Sequence, residues 1–205
     1  MSGSAVPTVW FRLPPGFHDI GPADRDTLDA AAEALGSTEA RQQLAQLVDG
    51  LDSLTRHHIV HTAIGLHPDE DAGIATSLFS LSVLHADQPN SRLAIARTAL
   101  GIARSPLWRS TTRRFLDLPS KLPCCLVAGA ISLPDVGQQL FQARIATVHP
   151  AGVHVIVLDL TSASVQHAEL YIDILEAITH TVSSSDPEPG PAPAAPASRI
   201  LEVLL

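Results

Sequence analysis

Residues 142–160 read QARIATVHPAGVHVIVLDL, and the fold is decided there. From Gln142 to Val148 polar and apolar residues alternate, Gln142, Arg144 and Ala146 against Ala143, Ile145 and Thr147, which is the period of a half-buried strand. Pro150-Ala151-Gly152 then turns the chain, and Val153 to Leu160 runs almost wholly apolar. An alternating strand, a tight turn and an apolar strand make a hairpin whose second strand is central to a sheet. The chain continues into a helical pattern. Leu170, Tyr171, Ile174, Leu175, Ile178 and Val182 fall on one side, opposite Glu169, Asp173, Glu176, Thr179 and His180, so this helix is expected to lie on the sheet.

Working outward, Cys124 to Leu133 and Phe115 to Leu118 read as strands whose ends are set by Pro119, Pro123 and Pro134. Ser91 to Arg104 is a helix with a broad Leu/Ile/Ala face, stopped by Pro106. Ile59 to Leu66 and Ile74 to Leu84 are two further strands around a loop containing Asp69-Glu70-Asp71, a solvated tip without calcium-loop spacing. In the second of them Phe79, Leu81 and Val83 alternate with Ser80 and Ser82, so one sheet face is apolar and the other lightly covered or wet. Asp24 to Leu35 and the helix capped by Ser37, with Ala40, Leu44, Leu47, Val48, Leu51 and Leu54 on one face, predict a helical hairpin. Val9 to Leu13 opens the chain as a short strand before Pro14-Pro15-Gly16.

Consecutive strands joined by short turns imply hairpins. The expected class is therefore α+β, a mainly antiparallel sheet flanked by helices, in one domain over residues 1–183. Residues 184–198 form a Pro/Ala/Ser-rich linker with Pro187, Pro189, Pro191, Pro193 and Pro196, and residues 199–205 an apolar tail.

Composition excludes several functions. Thirteen cationic against 21 acidic residues give a net charge of −8, which argues against nucleic acid as a partner and against an anionic membrane surface. The N-terminus lacks the basic start and apolar run of a signal peptide, and no stretch is apolar for long enough to span a bilayer, so a soluble cytoplasmic protein is expected. Cys124 and Cys125 are adjacent; strand alternation would send them to opposite faces as reduced core residues.

Candidate sites are few. His57 and His61 would share a helical face as zinc ligands can, but Glu is missing from the position an HExxH motif requires, and the segment is expected to unwind into a strand. No metal, cofactor or catalytic residue is assigned; His149, His154, His167 and His180 read as scattered surface or satisfied core histidines. There is no P-loop, GxGxxG or GxSxG, and no local spacing selects a triad. Arg104, Arg109, Arg113 and Arg114, interleaved with Trp108 and Phe115, form the one basic cluster of an acidic chain, a composition suited to an interface. Trp108, Arg109, Arg113 and Arg114 are the candidate partner-binding residues, together with Ile200, Leu201, Leu204 and Leu205 of the tail.

Trp10-Phe11-Arg12-Leu13-Pro14-Pro15-Gly16-Phe17 and the strand, Pro-Ala-Gly, strand, Tyr-containing helix from Gln142 to Ser183 resemble the Mog1/PsbP-like superfamily, in particular its small actinobacterial members. The resemblance implies a layered α+β domain and a binding role. Members of that superfamily are mostly binding modules, and the related DcrB group includes chaperones of secreted effectors. It carries no catalytic residues onto this chain. The reading that follows is a non-catalytic cytoplasmic adaptor or chaperone, holding an apolar segment of a secreted or membrane-active protein partner. The alternatives are an enzyme whose pocket includes the His57 to His61 region, and a self-assembling structural protein or homo-oligomer.

Overall fold

The computed structural model describes residues 7–20, 58–69, 73–118, 120–132, 139–150 and 152–185. Its strands are β1 (Phe17–Asp19), β2 (Ile59–Asp69), β3 (Gly73–His85), β4 (Trp108–Asp117), β5 (Pro123–Ser132), β6 (Gln139–Val148) and β7 (His154–Ser162). Its helices are α1 (Ser91–Ala103) and α2 (Ala168–His180), the latter entered through a 3-10 turn at Val165–His167. Among the described residues the seven strands join one antiparallel sheet in the order β1-β2-β3-β7-β6-β5-β4. The expected α+β class holds. So does the central position of the strand after the Pro-Ala-Gly turn, which has three strands on either side.

Strand alternation gives the sheet two cores. Phe79, Leu81, Cys124, Leu126, Ala143, Ile145, Ile156, Leu158 and Leu160 point to one face and pack under α2 through Tyr171, Ile172, Leu175 and Ile178. Cys125, Val127, Ala146, Val148, Val155 and Val157 point to the other, under Ala94, Ile95 and Ala99 of α1. The small side chains of α1 let its backbone come close to β5 and β6. Asn90 starts that helix by accepting from the Leu93 amide at 3.1 Å. Because α1 lies between β3 and β4 in sequence, it is the crossover that carries the chain from the middle of the sheet to its far edge.

Four expectations are corrected. Val9 to Leu13 is not a sheet strand: Trp10 makes one isolated bridge to Ser183, with amide–carbonyl bonds of 2.8 Å each way, and the Arg12 amide donates to Thr181 Oγ1. This segment is held by Thr181 and Ser183, just beyond α2, and β1 begins after Pro-Pro-Gly instead. The strand expected at Phe115 to Leu118 starts at Trp108, because a sheet edge wet on both faces shows no alternation. The buried side of α2 is rotated from its apolar sequence face, leaving Leu170 50% exposed and Thr179 buried with its hydroxyl donating to the Leu175 carbonyl. His149 and His154 are buried and neighbours, not scattered. The predicted helical hairpin from Asp24 through His57, and the expected linker and tail beyond Ser185, lie outside the described residues.

Candidate functional site

β4 forms one outer edge of the sheet, paired with β5 alone among the described residues. Its sequence, WRSTTRRFLD, has no apolar alternation because neither face is fully covered. Arg109, Arg113, Arg114 and Phe115 are all exposed, and Phe115, at 73%, is the most exposed large hydrophobic side chain described. A bulge between Trp108 and Ser110 bends the start of the strand. There Gly129 on β5 allows a close approach: a Cβ at that position would stand 2.0 Å from the Ser110 carbonyl oxygen.

The four candidates on this strand have different roles. Trp108 is not an exposed anchor: it is half-buried against the α1 core, and its Nε1 donates to the Ile102 carbonyl at 2.8 Å, holding the C-terminal end of that helix. Arg109 donates from Nε to Ser132 Oγ at 2.9 Å across the edge. Arg114 lies on the α2 side and forms an ion pair with Glu176. Arg113 lies on the α1 side, in register with Val127, near enough to Cys125 to oppose the rise that burial imposes on its thiol pKa. Phe115, paired with Cys125, shares that side. It was legible as part of a basic and aromatic cluster, but its exposure depends on being at the edge, which only the strand order establishes. Ile200, Leu201, Leu204 and Leu205 lie outside the described residues.

The histidine region takes its expected strand form from Ile59 onward. His58 has a left-handed backbone, φ 59°, at the strand start. His61 bonds Asp19 Oδ1 at 3.1 Å and sets its ring edge-on to Phe11, with centroids 4.9 Å apart, so it ties β1 and the N-terminal segment to β2. No group of metal-ligating side chains is set to hold an ion among the described residues.

A serine–histidine contact exists nearby, with His67 Nε2 3.1 Å from Ser77 Oγ. Burial, and secondarily the neighbouring His167, lowers the His67 pKa, which keeps the ring neutral but makes it a weaker base. Ser77 is nevertheless buried, and a Cβ at Gly65 would stand 2.4 Å from its oxygen, so the pair is closely packed between strands. Tyr171, buried above it, shares a 3.0 Å hydrogen bond with Ser162, whose hydroxyl donates to the Thr76 carbonyl. These contacts stitch α2 to β3 and β7.

On the α1 side of the sheet, beyond that helix, Asp159 of β7 forms an ion pair with Arg144 of β6 and accepts from Gln142 and Thr161 at 3.0 to 3.2 Å. It lies beside half-buried Ser80, its register partner, so this is the lightly covered face read from the β3 alternation.

No family profile and no curated protein sequence matches the chain. Solved structures align with the chain at low sequence identity. LpqN, involved in cell envelope biogenesis of Mycobacterium tuberculosis, aligns with a TM-score of 0.49 at 15% identity over 88% of this chain and 86% of its own. PA94 of Pseudomonas aeruginosa, a protein of unknown function described as a candidate regulator, aligns with a TM-score of 0.42 at 17% identity over 63% and 84%.

Proposed function

We propose that this chain is a non-catalytic, cytoplasmic protein-binding module, an adaptor or chaperone that takes an extended partner segment along the outer edge of β4. The observation that carries this reading is the edge itself: a ten-residue strand with Phe115 73% exposed beside exposed Arg113. An unpaired edge offers main-chain donors and acceptors to an added strand, while side chains on alternate residues select its sequence. Arg113 and Phe115 project on one side and Arg114 and Leu116 on the other, so the fitting segment carries both acidic and apolar residues. A second copy of the chain fits less well, because edge-to-edge pairing would bring two arginine-rich strands together. The resemblance to the Mog1/PsbP-like superfamily, with its many binding modules, supports the same reading.

The test is titration of isotope-labelled protein with two short extended peptides, identical except for Glu or Lys at alternate positions. The Glu peptide should shift β4 amides and bind at least about tenfold more tightly, a difference of about 1.4 kcal/mol. Arg113→Glu should abolish that preference. Shifts centred away from β4, or equal affinity of the two peptides, would overturn the assignment of this edge. Concentration-dependent dimerisation lost in Arg113→Glu would favour self-assembly instead.

A further inference from the structure

His85, His149 and His154 stand far apart in sequence or across a turn, yet the sheet sets them in one row. His85 of β3 is the register partner of His154 at the start of β7, and the His149 amide, just past β6, donates to the His154 carbonyl at 2.9 Å. Their rings meet edge to face in succession. Centroids are 5.7 Å apart between His85 and His154 and 6.4 Å apart between His154 and His149. His154 is 8% and His149 7% exposed, whereas His85 is exposed. His154 Nδ1 is buried without a hydrogen-bond partner, an arrangement tolerable for a neutral ring and costly for a charged one.

We propose that these three imidazoles, one at the end of each of three adjacent strands, form a proton-operated latch on the β6–β7 turn. Backbone hydrogen bonds hold the turn among the described residues. Besides the His149–His154 bond, the Gly152 amide donates to the His149 carbonyl at 2.7 Å, with Gly152 at φ 80°, and the Ala86 amide donates to the Val153 carbonyl at 2.9 Å. The last of these fastens the turn to the chain leaving β3. Charging the central ring places an unsolvated cation between two other imidazoles, and separating the turn from β3 gives it water.

Burial first, then His85 and His149, hold the His154 pKa below its ordinary 6.5. A histidine kept neutral in the closed form stabilises it fully above about pH 6.5, and the contribution is lost as pH falls through the lowered pKa. Other titratable groups stand around the row. His180 in the last turn of α2 shares a cleft with Pro150, and His58 accepts from the Val83 amide two residues before His85. Asp87 and Arg97, paired at 3.2 Å, line a second cleft with His85. Among the described residues no carboxylate is within ion-pair distance of His85 or His154, so no partner offsets the charge.

The full chain, with its imidazoles followed by NMR between about pH 8 and about pH 5 and its amide exchange measured in parallel, tests the latch. His154 should titrate below 6.5, and protection of the Ala86, His149 and Gly152 amides, corrected for intrinsic exchange, should fall by up to about tenfold per pH unit below that point. Amides of β5 should keep their protection. His154→Gln should remove the pH dependence. If that variant does not fold, His85→Asn, at an exposed position, should move the His154 titration upward while the fold persists. Titration of His154 at or above 6.5, or turn protection independent of pH, would overturn the proposal.

Discussion

Cys124 and Cys125 show how much one residue of register decides. Adjacent on β5, they point to opposite cores, and both are free and buried. Burial, then Cys125 and Glu176, push the Cys124 thiol up to about 12; burial raises Cys125 too, with Arg113 opposing. Since the thiolate is the nucleophile, neither should react with iodoacetamide in the folded protein near pH 8, and both should react once it is denatured. Mass spectrometry of the alkylated chain checks this; native labelling of either would mean the core opens there. At Gly129 the constraint is steric. A methyl group 2.0 Å from the Ser110 oxygen must displace β4, so Gly129→Ala should cost about 1 to 3 kcal/mol in denaturant unfolding. A neutral result would show that the bulge relaxes freely.

Among the elements, α2 separates what helical periodicity reveals from what it does not. Its apolar residues extend more than halfway round, and the sequence cannot say which part faces the sheet. In the structure Leu175 is fully buried and Leu170 is 50% exposed. Leu175→Ala should therefore cost about 2 to 5 kcal/mol. Leu170→Ala should stay within about 0.5 kcal/mol. Equal losses, read from urea midpoints, would mean that the helix packs through its sequence-apolar face after all. β4 gives the opposite lesson. Its N-terminal half carries only polar and charged residues after Trp108, so nothing in their pattern distinguishes an edge strand from a loop. Pairing with β5 makes it a strand, and with it the arginine cluster becomes a candidate binding edge.

At the scale of the molecule, one sheet serves two cores with a helix on each side. Ile95 on α1 and Leu175 on α2 are both fully buried but separated by the sheet. Ile95→Ala and Leu175→Ala should each destabilise a single cooperative unit, and the double variant should lose their sum to within about 0.5 kcal/mol. Two resolved unfolding transitions would show instead that the layers melt separately. The sequence by itself determined the elements with a strong local period: the alternation of β3, the hairpin of β6 and β7, the two helices, and hence the α+β class. Such patterns are written in residues two or four apart, and each face must be buried wherever the element lies. Only the tertiary structure decided the strand order, with β7 against β3 and β4 outermost. That order in turn exposed Phe115, set half-buried Trp108 against the α1 core and placed His85 beside His154 and His149. Those neighbours are dozens of residues apart or meet across a turn, and side chains become adjacent through backbone pairing and register, which the local pattern of any one segment does not contain.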